Sequence, residues 1–408
     1  MIAHAGYDRL LMGSPMRRRG TCLAISATLL LVLAYATLVQ IILFIRMPPE
    51  IAFVFLVALF LSSLLSLVPV AVLWFLDRRE REAPWLFVAA FLWGGLIATA
   101  VALPFNTAFF KFVDGWVALH PIVTEILGPQ APLLLAAPIS APFAEEIAKG
   151  CGVLLLFGLL RAEFDNMRDG LVYGALVGVG FNWYEAALYA VQGYAEHGLG
   201  LFSIQLGARY ALFGLGGHAM FTGIFGAFLG LAMQTQKTWL RVLAPFTGLV
   251  LAIAAHMLNN ALPLFAVLAG AADGPPPEAS EAPPGVAFIG AFLTGSLLQV
   301  TIFLPFLVIM AVAIWRSGVW ERRVIREELA GEVGRTISSE EYDDIVGDRM
   351  LRTRRIDHLQ PGASAALVNA QYELAFRKHR VRNAGGDPER DALVGGWRDD
   401  IRHLRRAV

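Results

Sequence analysis

Ala144-Glu145-Glu146-Ile147-Ala148-Lys149 sets two adjacent carboxylates and an ammonium in an otherwise apolar run. Three comparable groups follow it: Phe181-Asn182-Trp183-Tyr184-Glu185, Gly216-Gly217-His218, and His256-Met257-Leu258-Asn259-Asn260. Carboxylates and imidazoles gathered in one cavity suit the activation of water for hydrolysis. One glutamate would act as general base. A histidine, or an amide such as Asn260, would stabilise the oxyanion. The same groups could instead ligate zinc, through His218, His256 and a carboxylate such as Glu185, with another glutamate as base. Spacing assigns no metal, because no tight zinc motif occurs, and glutamate-activated water without a cofactor is the favoured reading. No Ser or Cys nucleophile with a nearby base stands out, and no glycine loop is suited to cradling phosphate. On a helix, Glu145 and Lys149 stand four residues apart with the acid first, so they are expected to pair. Glu146 lies about 100° further round with no cation at that spacing. Phe181, one turn before Glu185, would wall the pocket.

These residues stand out because of where they lie. The chain has 408 residues, 57% hydrophobic and only 16% charged, with a mean hydropathy of +0.59. A soluble domain carries about 25% charged residues, so a purely soluble enzyme is excluded. The formal net charge is zero, which gives no pointer to nucleic acid. The two cysteines, Cys22 and Cys151, exclude a disulfide scaffold or a Cys-rich metal site. A spanning helix needs about 20 mostly apolar residues. Eight segments qualify: 21–45, 51–76, 85–107, 132–160, 170–192, 206–233, 239–268 and 285–315. An ionisable residue at the centre of such a helix costs about 2.5–3.5 kcal/mol, and the fourth to seventh spans carry six of them. Pro132, Pro138 and Pro142 suggest that the regular part of the fourth helix starts only near Ala141.

The predicted fold is therefore an all-α polytopic membrane protein of about eight spans with a helical cytosolic tail. Basic residues orient it. Arg17, Arg18 and Arg19 precede the first span, which is expected to be a retained signal anchor. Arg78, Arg79 and Arg81 follow the second, Arg161 and Arg168 the fourth, and Lys237 and Arg241 the sixth. The opposite loops hold Arg46, Lys111 and little else, so both termini are expected in the cytoplasm of a cell with this protein in its plasma membrane. The divisions are a cytoplasmic segment (1–20), N-terminal spans and loops (21–130), a motif-bearing membrane core (131–268), an external Pro-rich linker (269–284), a last span (285–315) and a tail (316–408). Tail helices are expected at Glu321 to Ala330, Ser338 to Leu351, Ala363 to Arg382 and Pro388 to Leu404. Ser338-Ser339-Glu340-Glu341 reads as a capping box. In this topology Glu145, Glu146, Glu185, His218 and His256 fall in one layer, roughly 10–20 Å below the external surface at 1.5 Å per residue.

Glu145-Glu146-x-x-Lys149, Phe181-x-x-x-Glu185, His218 in its Gly-rich helix and His256-x-x-x-Asn260 resemble the four motifs of the PrsW family of intramembrane proteases. That family is similar to the wider CAAX-protease and bacteriocin-processing superfamily, whose second motif has histidine where this chain has Glu185. The resemblance covers roughly residues 130–265. It implies a polytopic endopeptidase that cuts a single-span membrane protein near the external face, an anti-sigma factor in the best-known role. It carries catalytic or supporting roles onto Glu145, Glu146, Glu185, His218, His256 and Asn260, with Lys149 and Phe181 in support. Arg209 matches a basic residue that precedes the His motif in some members. On a continuous helix, however, it would lie about 180° from His218. The implied partners are that substrate, the bilayer and a cytosolic partner of the tail; nucleic acid is not among them. Rival readings are a proton-coupled transporter, since intramembrane acids and histidines also mark ion pathways, and a non-catalytic membrane scaffold subunit.

Overall fold

A computed structural model of the chain describes residues 18–78, 84–160, 164, 166–270, 282–347 and 361–406. Arg17, Arg79, Arg81, Arg161, most of the 269–284 linker and the end of the expected 338–351 helix lie outside the described residues. Two compact units emerge: Met1–Phe75 with Ala83–Ala311, and Leu76–Glu82 with Val312–Val408.

The described residues of the first unit form helices joined by short connections. Its elements are α1 (Arg19–Ile45), α2 (Pro49–Leu76), α3 (Pro84–Leu92), a π-helical turn (Trp93–Ala98), α4 (Thr99–Ala118), α5 (Pro121–Leu127), α6 (Ala131–Leu159), α7 (Met167–Arg209), α8 (Gly217–Gln234), α9 (Thr238–Leu268) and α10 (Pro284–Ile302), with α11 (Leu304–Ala330) beginning in it. Among the described residues, seven helices are long and apolar enough to cross a membrane, or eight when α5 and α6, bent by 90° at their break, count as one span. The all-α polytopic fold is as expected, but the members of the set differ. The expected last span, 285–315, is two helices meeting at Phe303. The prolines do not delay α6, which is helical from Ala131 and carries Pro138 and Pro142 inside it.

The expected fifth span is the middle of α7, which does not qualify as a span on composition. The reason is its position. Residues 168–182 of α7 are all buried, so protein rather than lipid surrounds it. Glycines let its neighbours close in. A Cβ on Gly170 would strike the Gly226 carbonyl of α8, and one on Gly178 would strike the His218 carbonyl. Around the helix, a Cβ on Gly180 would strike the Phe91 carbonyl of α3. α7 is thus clamped between α8 and the α3–π segment, with backbones in contact on both sides.

α7 begins in a capping box, with Asn166 accepting from Arg168 and Asp169. It kinks at His197 and Gly198 and resumes to Arg209. There the expected continuous helix 206–233 breaks. Leu212, Phe213, Gly214 and Gly217 all have positive φ, between 51° and 74°. For the two residues with side chains this is strained backbone, worth about 1–3 kcal/mol each, of the kind concentrated at functional sites. Tyr210 fixes the break: its hydroxyl lies 2.6 Å from the Ser62 hydroxyl and 2.7 Å from that of Ser66, both on α2.

In the second unit, α11 runs on to Ala330, so the expected boundary at 316 falls inside a helix. α12 (Ser339–Val346), α13 (Pro361–Asn383) and α14 (Ala392–Arg406) follow. The capping box forms: Glu341 N–H donates to Ser338 Oγ, and Ser338 N–H to Glu341 Oε2, each at 3.1 Å. Val324, Leu329, Leu367, Leu374, Phe376, Val394 and Ile401 make a core of this unit's own. Glu332 is buried within it, 2.6 Å from Lys378 Nζ and 2.7 Å from Arg398. Burial opposes ionisation of Glu332. Hydrogen bonds from Arg398, Lys378 and Thr336 outweigh it and hold the carboxyl below the usual carboxylate range. Arg398 and Arg335 likewise draw the more exposed Glu389 down to about 2. A carboxyl depressed in the folded state stabilises above its unfolded pKa, about 4.3 for Glu, and that stability is lost as pH falls through the folded value. Amide-exchange protection of α13 and α14, corrected for intrinsic rate, is therefore expected to fall between about pH 4.3 and 2. Unchanged protection across that window would refute the assignment.

Candidate active site

Four helices of the first unit deliver the ionisable groups. α6 carries Glu145, Glu146 and Lys149; α7 carries Glu185 and, at its end, Arg209; α8 carries His218; α9 carries His256. Glu145, Glu146, Lys149, His218 and His256 are all buried, at 0–5% exposure. The Glu185 and Arg209 side chains are more open, at 13% and 23%, and form the accessible edge.

Lys149 pairs with both acids, and more closely with Glu146 than with its i, i+4 partner Glu145. Its Nζ lies 2.5 Å from Glu146 Oε1 and 3.9 Å from Glu145 Oε2. Both i+3 and i+4 are within reach on a helix, and other helices decide between them. Thr222 on α8 donates to Glu146 Oε2 at 2.9 Å, and His256 Nδ1 lies 3.0 Å from Glu146 Oε1. Those contacts draw Glu146 toward α8 and α9, and Lys149 with it. Glu145 is held instead by the neutral amide of Asn106 on α4, which donates to Oε1 at 3.0 Å. Its other oxygen, Oε2, is buried without a hydrogen-bond partner. Glu146, with no cation four residues away, is nevertheless the better partnered of the two acids.

Each imidazole has a carboxylate on one nitrogen. His256 Nδ1 faces Glu146, and His218 Nε2 lies 2.6 Å from Glu185 Oε2. An ionised carboxylate only accepts, so those nitrogens carry the protons. The lone pairs then sit on His256 Nε2, 3.8 Å from Glu145 Oε2, and on His218 Nδ1, which accepts from Lys149 Nζ at 3.0 Å. Phe221 stacks on the His256 ring at 5.0 Å, and Phe181 packs against both His218 (4.9 Å) and the Lys149 ammonium (4.3 Å). Phe181 thus packs against two members of the cluster.

Arg209 belongs to the cluster. Its NH1 lies 2.5 Å from Glu185 Oε2 and 3.5 Å from His218 Nε2, and its guanidinium covers the Tyr189 ring at 3.8 Å. The helical arithmetic that set it opposite His218 fails because the chain unwinds between them. Asn182 donates to the Arg209 carbonyl at 3.2 Å and pins it there. Asn260 lies one turn beyond His256 on α9. Its amide donates to the Ala137 carbonyl at 3.2 Å, tying α9 to α6.

Among the described residues, the group able to hold a metal is Glu145, His218 and His256, with ligand atoms within 4.8 Å of one another. Glu145 thus stands where Glu185 was expected, and Glu185 lies behind His218. The unpartnered Glu145 oxygen, the lone pair on His256 Nε2 and the carboxylate behind each imidazole fit a zinc centre, in which outer carboxylates orient the ligating rings, but His218 could ligate only if Lys149 gave up its bond to Nδ1. Charge leads to the same residue. Glu146 is matched by Lys149 and Glu185 by Arg209, so Glu145 is the carboxylate left to be balanced by a proton or a cation.

Sequence reasoning missed Asn106, Thr222, Tyr189 and the π turn. Asn106 was readable as a lone amide in an apolar span. Trp93, which opens the π turn and donates through Nε1 to the Ala148 carbonyl at 3.0 Å, gave no such signal. π turns recur beside functional sites.

A family profile described as "PrsW family intramembrane metalloprotease" matches residues 82–310. The chain is 32% identical over 149 residues to a "Protease PrsW" of Halalkalibacterium halodurans, covering 36% of this chain and 61% of that protein. It is 31% identical over 175 residues to a "Protease PrsW" of Geobacillus kaustophilus, covering 42% of this chain and 66% of that one. The matches thus span about three fifths to two thirds of the length of these curated relatives. No solved structure matches the chain. With more than half of its length under the profile, and all four motifs converging on one buried cluster, this multi-pass membrane protein belongs to the PrsW family of intramembrane metalloproteases.

Proposed function

We propose that the chain is an intramembrane endopeptidase that hydrolyses a peptide bond of a membrane-anchored protein, with water activated at Glu145. One observation carries the reading. Among three carboxylates drawn together in an apolar body, Glu145 alone presents a buried, unpartnered oxygen, and it faces an imidazole lone pair. Glu145 Oε2 takes a proton from water, and the oxygen attacks the scissile carbonyl carbon. The Arg209 guanidinium, at the accessible edge, has donors beyond the one on Glu185 to offer the developing oxyanion. Glu145 then returns the proton to the leaving amine as the C–N bond breaks, giving a carboxylate and a free N-terminus. Glu146 and Glu185 hold His256 and His218 in the tautomers this requires. Were a zinc ion bound, Glu145, His218 and His256 would hold it, with Glu145 then a ligand instead of the base. When bound, zinc supplies Lewis-acid polarisation of the carbonyl and lowers the pKa of a bound water.

The family and the outer-half depth derived from the loop charges support a single-span substrate cut near the external face of the plasma membrane, such as an anti-sigma factor. The test compares new protein N-termini in membranes from cells making the wild type or the Glu145→Gln/Glu146→Gln variant at matched abundance. External-side cuts in single-span proteins, seen only with the wild type, are the expected result. Identical termini in both would move the reading to transport or scaffolding.

A further inference from the structure

Asn106 lies outside the four motifs, on α4, yet it is the residue that decides what Glu145 can do. Ser140 Oγ donates to Asn106 Oδ1 at 2.8 Å, and Asn106 Nδ2 donates to Glu145 Oε1 at 3.0 Å. The hydroxyl fixes the amide's orientation. Turned over, Oδ1 would face a carboxylate oxygen, acceptor against acceptor. Glu145 has a competing partner on its own helix, since Lys149 sits at the favourable i, i+4 spacing with the acid first. That ion pair is long, at 3.9 Å against 2.5 Å for Lys149 with Glu146, so it leaves Glu145 Oε2 without a hydrogen bond. A neutral donor does what the bridge would not do. It satisfies one oxygen without neutralising the charge, and it leaves the other directed at His256 Nε2, 3.8 Å away.

We propose that Asn106 is a positioning residue for hydrolysis, acting through Glu145, and that Ser140 acts through Asn106. This rests on the hydrolytic reading above. Without the amide, Glu145 can swing onto Lys149 and lose its free oxygen. Losing such an outer partner typically lowers activity by about 10- to 100-fold.

The test uses the full chain reconstituted in liposomes with the protein whose cleavage separates wild type from the Glu145→Gln/Glu146→Gln variant. Asn106→Leu keeps the size of the side chain and removes the donor. Asn106→Asp keeps the shape and replaces the donor with an acceptor. Both are expected to lower kcat by about 10- to 100-fold with KM unchanged, and Ser140→Ala by less. Ser140→Ala added to Asn106→Leu should cost nothing more, since the two lie on one chain of hydrogen bonds. In infrared difference spectra, the carboxylate band that Glu145→Gln removes should shift in Asn106→Leu. Wild-type kcat in folded Asn106→Leu, or full activity in Asn106→Asp, would overturn the proposal; if the leucine variant fails to fold, Asn106→Asp and Ser140→Ala decide. Cleavage by Glu145→Gln would remove the hydrolytic reading itself. An inert Glu145→Gln beside a fully active Asn106→Leu would remove only this inference.

Discussion

Glu145→Gln should lower cleavage by about 100- to 10,000-fold, the usual worth of a general base, and leave the fold intact. The substitution is isosteric, and its amide oxygen can still accept from Asn106, as Oε1 does now at 3.0 Å. What it removes is the proton-accepting oxygen and the one negative charge in the cluster without a cation of its own. Removing an unbalanced buried charge carries no stability cost of the kind that follows loss of a paired one. The thermal unfolding midpoint in detergent should therefore hold or rise. A fall of several degrees would mean that Glu145 is a structural partner of Lys149 after all, and the charge assignment above would fail. The effect on activity has the same sign whether Glu145 works as base or as metal ligand, because an amide does neither well. Zinc content of the purified proteins separates the two roles. Zinc bound by the wild type and lost in Glu145→Gln marks a ligand; equal content marks a base.

The motifs were legible because lipid makes polar residues conspicuous. Glu145, Glu146, Glu185, His218 and His256 each interrupt an apolar run, and that alone was enough to group them. What periodicity could not supply was the choice among partners. Lys149 is within reach of both acids, and the choice between them is made by Thr222, His256 and Asn106, on three other helices. Arg209 was misplaced for a related reason. Helical arithmetic holds only while the backbone is helical, and four positive-φ residues between Leu212 and Gly217 end it. Gly214 and Gly217 hinted at that break, but Leu212 and Phe213 carry no such signature. α7 shows the same limit for the fold. Hydropathy reports exposure to lipid, so a helix enclosed by protein on all sides need not look like a span. Its glycines were the better guide, because Gly170, Gly174 and Gly178 stand four residues apart on the face that meets α8.

Lys149→Met should destabilise the membrane unit by about 3–5 kcal/mol, because it leaves Glu146 ionised and buried without its cation. Lys149 has no exposed surface, and Glu146 is only 1% exposed. Removing one partner of such a pair exposes the full desolvation penalty of the other, whereas removing both is often close to neutral. The double variant Glu146→Gln/Lys149→Met should therefore recover most of the lost unfolding midpoint. Activity should not return with it. Glu146 also holds His256 by Nδ1 at 3.0 Å, and Lys149 donates to His218 Nδ1 at the same distance. With both partners gone, His256 loses the carboxylate that sets its tautomer and His218 loses the ammonium on its Nδ1, although Glu185 stays on its Nε2. Stability and activity thus separate in one pair of substitutions. Midpoints that fell additively in the double variant would show that the two residues are not paired as described. Restored cleavage would show that the imidazoles need neither of them.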